Sequence, residues 1–579
     1  MTFIETDVLI VGAGPAGLIA SALLARHGVK FISVTKYDST ADSPRAHITN
    51  QRSIEIFRDL GFEERVRARA MPQDLMGIQV FATSFAGPEL ARTMAWGAGV
   101  DRRSDYERAS PTSMCNMPQH VLEPIILEAA KANGAEIRFG HELLELNEVA
   151  NGIDALIRNR PKNEEYRIRA KYVVGADGSR SMVARQMQID FEGEGKIGDS
   201  VSVWLKADLS KYVRHRSGAL AFIYHPGSEV LFSVWPCVNP WDEWNPFFLR
   251  HNFAGGDVSE LWIRQQIEAA IGDSSVKYEI KKVTKWQVNN LVAKQYRKGR
   301  IFLVGDAAHR HSPANGLGSN TSIQDSYNLA WKLTLVLSGR ASDALLDSYD
   351  AERRPVGQQV IARAHRSGRD MSYLWKALGA RPDQAADEAR RNIDLLFAAG
   401  EVSAQARRSV WDALDVMNGQ FNAHGVELGQ RYASRAIVQD GTPTSAERTV
   451  SDLYYRPSTD PGAHLPHVWI EKDRTQISTL DLVAHDGFTL ISGVQGDVWH
   501  NAASLVAKEF NVPVSYFPIG LRQECDDVFG DWERIRGIDD DGCLMIRPDR
   551  FIAWRSKRGT TNAAATSALR AAMAQILGR

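Results

Sequence analysis

The chain has 579 residues, 44% of them apolar and 24% charged, the composition of an ordinary soluble globular protein long enough for several domains. Lys plus Arg number 69 and Asp plus Glu 70, a net charge of −1, so no chain-wide basic footprint marks nucleic acid as a partner. Four scattered cysteines (Cys115, Cys237, Cys525, Cys543), with no CxxC and no Cys/His cluster, exclude a disulfide scaffold, a zinc site and a dithiol centre; reduced thiols in a cytoplasmic protein are the simplest reading.

The first elements read as strand, tight turn and helix. Asp7 to Val11 is a short buried strand, Gly12-Ala13-Gly14-Pro15-Ala16-Gly17 a glycine turn, and Leu18 to His27 a helix that is apolar nearly all round. Gly28 stops the helix, and Lys30 to Thr35 is the next strand, which together make a parallel βαβ unit. The uncharged run from Val8 to Ala25 is not read as a membrane span: its 18 residues are marginal in length, glycines and a proline break it, and acids precede it. Asn50 to Leu60, with Ile54, Phe57 and Leu60 on one face, and Val121 to Asn133 are predicted helices, ended by Gly61 and Gly134. Tyr172-Val173-Val174 is a buried strand that runs into Gly175-Ala176-Asp177-Gly178.

Residues 200–250 change character. Val201, Val203 and Leu205 alternate, and aromatic residues crowd in, including Phe222, Tyr224 and Trp235; this predicts antiparallel sheet with one buried face. Parallel character returns with the strand Ile301 to Val304, then Gly305-Asp306, a polar glycine-containing loop to Asn320, and a long helix carrying Ile323, Tyr327, Ala330, Trp331, Thr334 and Leu337 on one face. Residues 357–430 are mostly helical, and Gly, Pro, Ser, Thr and Asp mark a linker at 440–466. The tail alternates again: strands Thr489–Ser492 and Val512–Phe517, a hairpin of Cys543–Ile546 with Phe551–Trp554, and a final helix from Asn562 to Leu577. The expected units are 1–180, 181–290, 291–445 and 446–579.

Three motifs carry chemistry. In the first, Gly12 makes a turn, Gly14 lets a pyrophosphate approach the backbone, and Gly17 lets helix and strand pack closely, with the phosphates on the N-terminus of the helix at Ala16 and Gly17. An acid is expected about 20 positions on to hold a ribose. Here Thr35 and Lys36 stand in that place, so the ribose contact is unassigned, with Asp38 a second candidate. In the second motif, Gly175 to Ser181, Asp177 orients the loop or accepts a hydroxyl and Arg180 serves phosphate; on its own it reads as an Asx turn. In the third, Asp306 ends a strand ready to accept hydroxyl hydrogen bonds, and Gly316, Gly318, Ser319 and Asn320 open the backbone before a helix whose N-terminus favours an anion such as a reduced isoalloxazine. His309 and His311 read as polar loop contacts, and no metal is expected.

These motifs, in this order, resemble the single-component FAD-dependent aromatic hydroxylases of the para-hydroxybenzoate hydroxylase type. The strings Ser43 to Arg52, Pro118-Gln119 with Leu122-Glu123-Pro124, Gly316 to Thr321, Pro461 to His467 and Arg547 to Arg550 are similar to the phenol 2-monooxygenase branch, which includes chlorophenol and 2-hydroxybiphenyl hydroxylases. The resemblance spans nearly the whole chain. It implies an α/β fold: a Rossmann-like FAD-binding domain, an inserted antiparallel-sheet substrate domain, a helical segment and a thioredoxin-like C-terminal domain that lacks CxxC here.

It also implies a chemistry. NADH or NADPH reduces FAD, O2 gives a flavin C4a-hydroperoxide, and a small phenolic substrate is hydroxylated ortho to its OH. His47, Arg45 and Pro313 form the implied catalytic set, with His47 as the base that activates the phenol, Arg45 and Gln119 facing the flavin, and the Pro313 carbonyl facing the flavin–substrate gap. Asn116 stands where related biphenyl hydroxylases carry an acid. Asp177 and Arg180 are implied in both dinucleotide contacts, and Phe222, Tyr224 and Trp235 in the substrate pocket, against the alternative that they are sheet core. A homodimer and the absence of a membrane partner are also implied. The rival readings are a hydroxylase of a larger polyphenol or polyketide and a flavin-binding redox partner without turnover; a halogenase is disfavoured because WxWxIP is absent.

Overall fold

The computed structural model describes residues 3–228, 230–250, 258–382, 384–441 and 451–579. The predicted first strand is the second half of Phe3–Val11, which pairs in parallel with Phe31–Thr35 on one side and Glu164–Gly175 on the other. Ile137–Phe139 and Ile301–Leu303 extend the sheet outward, again in parallel. The first strand is thus central, and the chain winds away from it in both directions. Ligands bind such sheets at the carboxyl ends of the strands where the order reverses, which here is the end formed by Val11, Thr35, Gly175 and Leu303. Residues Ala16 to Leu24 of the helix Pro15–Arg26 are buried, as a helix apolar on all sides requires. It packs against the helices Gly318–Leu337 and Gln119–Ala132.

The second sheet is built on two long antiparallel strands, Phe191–Ala207 and Tyr278–Ala293. It is not assembled from the 181–290 unit alone. Ile78–Ala82 and Glu89–Met94, from far upstream, join its edge, and Ile78–Ala82 pairs in parallel with Leu220–Tyr224. The sheet is therefore antiparallel except at that seam. Its register sorts the aromatic residues. Phe222 lies opposite Val234 and Phe81, whereas Trp235 lies opposite Ala221, one position along and so on the other face. Phe222 stacks on Phe81 (4.8 Å between centroids) and meets Phe421 of the helix Glu401–Phe421 edge-on, while Tyr224 stacks with Trp375. Trp235 instead packs on Phe85 at 5.1 Å and donates Nε1 to Ser233 Oγ. The expectation that all three line one pocket is corrected: Trp235 belongs to the core on the opposite face.

The helical segment consists of Asp347–Ala377, Ala386–Phe397 and Glu401–Phe421. Residues 442–450 of the predicted linker lie outside the described residues, and its later part is not loose: Tyr432 N donates to Gly462 O, and Arg431 bridges Ala463. In the tail the strands run in the order 514–518, 488–492, 543–546, 552–556, with a parallel first pair and antiparallel pairs after it, covered by helices Asp497–Phe510 and Asn562–Leu577. This is the thioredoxin-like arrangement expected. The tail shares an apolar core with Trp331 and Leu335 of the helix Gly318–Leu337. All four cysteines are free and buried. Burial pushes the Cys115 and Cys525 thiols to about 12 and about 11, and those of Cys237 and Cys543 well above the usual thiol value.

Candidate active site

The glycine turn separates two demands. A Cβ on Gly12 would meet Ala176 O at 2.1 Å, on a backbone with φ of +112°, and one on Gly17 would meet Gly12 O at 2.0 Å. Both glycines are thus required by the protein's own packing. A Cβ on Gly14 would find nothing nearer than Glu123 Oε1 at 3.9 Å. That glycine leaves open space at the start of the helix Pro15–Arg26, where no side chain caps the first turn. An uncapped helix N-terminus with an open backbone approach fits a pyrophosphate. Thr35 is buried at the carboxyl end of its strand, and Lys36 and exposed Asp38 follow it. Gly12 N donates to Val34 O, which seats this edge beside the turn.

Glu123 was not singled out by sequence reasoning, although it sits in the Pro118–Pro124 string. It is buried, accepts Ala41 N–H at 2.5 Å and Gln119 Nε2 at 2.6 Å, and burial raises its pKa. The Gln119 amide is therefore partly committed to Glu123. Arg45 is exposed, with a charge close enough to act on Glu123, and its carbonyl accepts Gln119 N–H.

In the second motif the Asp177 carboxylate accepts from Ser181 Oγ (2.6 Å), Met182 N (2.6 Å) and Val183 N (3.1 Å). Its oxygens fold the turn that presses Ala176 on Gly12, and Arg180 beside it is exposed. In the third, Gly305 has φ of +61° and Asp306 stands exposed at the strand end. The next long helix starts at Gly318 without a side-chain cap, after Pro313, a left-handed Asn315 and Gly316; Ser319 follows, half-buried. Asn315 Nδ2 ties this loop to the carbonyls of Gly419 and Gln420. The Asn320 side chain is fully engaged. Its Oδ1 accepts from Asn50 N and Ser53 Oγ, and its Nδ2 donates to Ile48 O and Gly316 O. Every donor and acceptor of that amide is spent inside the protein, so the side chain is a clamp, which leaves only the Asn320 backbone for the expected role at the helix N-terminus. His311 Nδ1 donates to Ser312 O in its own loop, and His309 Nε2 meets Asp325 at 2.8 Å.

His47 follows Ala46, whose φ is +42°, and the backbone bond from Met117 N to His47 O fixes the loop to the 115–119 segment. Asn116 is buried, and its Nδ2 donates to Cys237 O at 2.8 Å. That contact orients the amide, so Oδ1 is the atom that meets His47 Nδ1 at 2.6 Å. An acceptor there requires the Nδ1–H tautomer, leaving Nε2 with its lone pair. Burial lowers the His47 pKa to about 4, with the Asn116 hydrogen bond opposing it. The ring is neutral at pH 7 and presents one acceptor.

A family model described as FAD binding domain matches residues 5–364, and one described as Aromatic-ring hydroxylase, C-terminal, matches residues 458–579. The chain belongs to this family of FAD-dependent aromatic-ring hydroxylases. It is 43% identical to a 2,4-dichlorophenol 6-monooxygenase of Delftia acidovorans, over 100% of this chain and 99% of that protein, and 39% identical to a phenol 2-monooxygenase of a Pseudomonas species, over 96% and 90%. A crystal structure of the flavin-dependent monooxygenase PieE with FAD and substrate superposes with a TM-score of 0.95 at 42% identity, covering 99% of both chains. The protein is a flavoprotein monooxygenase, with FAD as its cofactor and O2 and a reduced nicotinamide as co-substrates.

Proposed function

We propose that the protein converts a small phenol to a catechol: phenol, NAD(P)H, H+ and O2 give catechol, NAD(P)+ and water. The named activities of the chlorophenol and phenol monooxygenases at 43% and 39% identity support this substrate class. The observation that carries it is the line from Cys237 O through Asn116 to His47, which leaves an imidazole acceptor for a phenolic OH.

FAD, when bound, supplies the redox and oxygen chemistry, and the chain supplies binding, orientation and dryness. The backbone at Gly14, Ala16 and Gly17 would hold the pyrophosphate, Thr35 and Lys36 would flank the ribose, Asp306 would take ribitol hydroxyls, and the helix N-terminus at Gly316 to Ser319 would face the ring. Arg45 would face the ring and the Pro313 carbonyl the gap between flavin and substrate, and Asp177 and Arg180 would serve the dinucleotide. His47 takes a hydrogen bond from the phenol. A phenol titrates near ~10, so full transfer to an imidazole at about 4 is strongly uphill. His47 therefore draws electron density into the ring as the oxygen is transferred, instead of holding a phenolate beforehand. Phe222, Phe81 and Phe421 form a dry aromatic wall on the face of the sheet that Tyr224 shares. Buried, unpaired thiols support a cytoplasmic setting, and a homodimer is the assembly that the resemblance supports, checked by light scattering. Among the described residues no helix is long and apolar enough to cross a membrane.

The test follows NAD(P)H oxidation and O2 uptake together for phenol, 2,4-dichlorophenol, 2-hydroxybiphenyl, 1-naphthol and salicylate, with catalase added at the end. Oxidation that one phenol accelerates, without oxygen returned by catalase, is the expected result. Blank-level rates with every compound would overturn the reading.

A further inference from the structure

The loop that carries Asp306 is tied at both ends to one buried carboxylate. Gly305 N and His309 Nε2, at its two ends, both donate to Asp325 Oδ2, at 3.0 and 2.8 Å. Asp325 lies in the helix Gly318–Leu337 and is fully buried. Its other oxygen accepts Arg353 Nε at 2.8 Å. Arg353, also fully buried, donates to Thr321 O in the first turn of the same helix and to Tyr432 OH at 3.0 Å. The Tyr432 ring stacks on Phe551 of the tail, with centroids 3.9 Å apart and planes 21° apart. Phe551, Tyr432 and Leu317, the residue before the helix, share one apolar cluster.

Two routes thus run from the tail to the two loops around the flavin: a polar one through Tyr432, Arg353 and Asp325, and an apolar one through Phe551 to Leu317. A charged group at zero exposure tolerates few alternative positions, because each displacement leaves a buried donor or acceptor unpaired. We propose that one contact of the C-terminal domain, Phe551 on Tyr432, positions the cofactor loop, and that Asp325, Arg353 and Tyr432 are the positioning residues through which it acts. This rests on the reading that Asp306 and the Gly316–Ser319 backbone hold FAD.

The experiment titrates FAD into apoprotein of the full-length chain, follows flavin fluorescence quenching for Kd, and records the visible absorption of the bound flavin. Asp306→Ala tests the underlying reading and is expected to weaken binding about tenfold. Tyr432→Phe removes one hydroxyl and keeps the stack; it is expected to raise Kd about threefold to tenfold and to alter the vibronic shoulders of the flavin band. Asp325→Asn is expected to exceed both. Leu569→Ala, in the buried core of the tail and away from Tyr432, lowers Tm while Kd stays within about twofold. If Asp325→Asn fails to fold, Tyr432→Phe decides. A normal Kd and spectrum in Tyr432→Phe beside a weakened Asp306→Ala would overturn the proposal alone. A normal Asp306→Ala retires the parent reading and the proposal with it. An equal loss in Leu569→Ala also overturns the proposal, because general loosening of the tail is then the cause.

Discussion

Two polar regions of the molecule are built on opposite plans. Beside the substrate face, His47, Asn116 and the Cys237 carbonyl form a line with no net charge and one open lone pair. Behind the helix Gly318–Leu337, Glu352 accepts from Arg547 at 2.6 and 2.9 Å and from Lys332 at 2.7 Å, and Arg547 also pairs with Asp549, all of them at 1% side-chain exposure or less. The first region leaves the His47 Nε2 acceptor open, as the proposed phenol-binding role requires. The second is closed: burial pushes Lys332 down to about 8, the surrounding cations hold the Glu352 carboxyl far below its usual range, and nothing is left for a ligand. The difference is one of task. Buried charge that is fully paired fixes geometry, whereas an unfinished neutral line can do chemistry.

The largest effect expected is on the closed region. Glu352→Ala leaves Arg547 and Lys332 buried without their carboxylate, which costs about 3–5 kcal/mol. A lower Tm by scanning calorimetry and faster proteolysis between the main body and the tail are the readouts. In the open region, His47→Ala is expected to lower kcat for phenol by about 10²-fold or more while FAD affinity is unchanged, since the hydrogen bond of the ring goes to Asn116 and not to the glycine turn or the Asp306 loop. Gly14→Ala and Gly12→Ala sharpen the contrast within the cradle itself. The Gly12 variant clashes with Ala176 O and loses stability without FAD, whereas the Gly14 variant has room, keeps the apoprotein Tm and loses FAD affinity.

Smaller effects appear as pH dependence. His47 at about 4 stays neutral from pH 5 upward, so it contributes no acidic limb to kcat there. In Asn116→Asp a carboxylate favours the imidazolium, raises the His47 pKa, and brings an acidic limb into about pH 5–7. Glu427 supplies an unpaired counterpart to Glu352. Its Oε2 is buried with no hydrogen-bond partner among the described residues, and burial raises its pKa to about 8. The folded state then binds more protons than the unfolded one between about pH 4.5 and 8, so stability falls as pH rises through that window. Glu427→Gln is expected to flatten that slope in chemical denaturation series.

Much of the cofactor half was legible because its demands are local. The turn at Gly12 to Gly17, the strand before Asp306 and the helix after Gly318 are each specified within a few residues, and the tail helix Asn562–Leu577 matches its apolar period. The pairing of Ile78–Ala82 with Leu220–Tyr224 was not legible, because no local pattern joins strands so far apart in sequence. Nor was the face on which Trp235 falls, which depends on a register that slips with one residue. The clamp formed by the Asn320 amide was not legible either, because its partners Ile48, Asn50 and Ser53 lie some 270 residues away in sequence. Asp325 and Glu352 passed unremarked because a lone acid in a helical pattern reads as solvated surface until its partners, from distant segments, are in place.

The four thiols have a bearing on how the protein ages. A cysteine is oxidised through its thiolate, and burial holds each of these groups at about 11 or above, or well above the usual thiol value, with no disulfide to exchange. A flavoprotein that handles O2 releases hydrogen peroxide whenever a turnover misfires. This chain offers that peroxide almost no ionised sulfur, even in a domain whose relatives in fold are defined by reactive cysteine pairs. Its cysteines are thereby kept out of that side reaction.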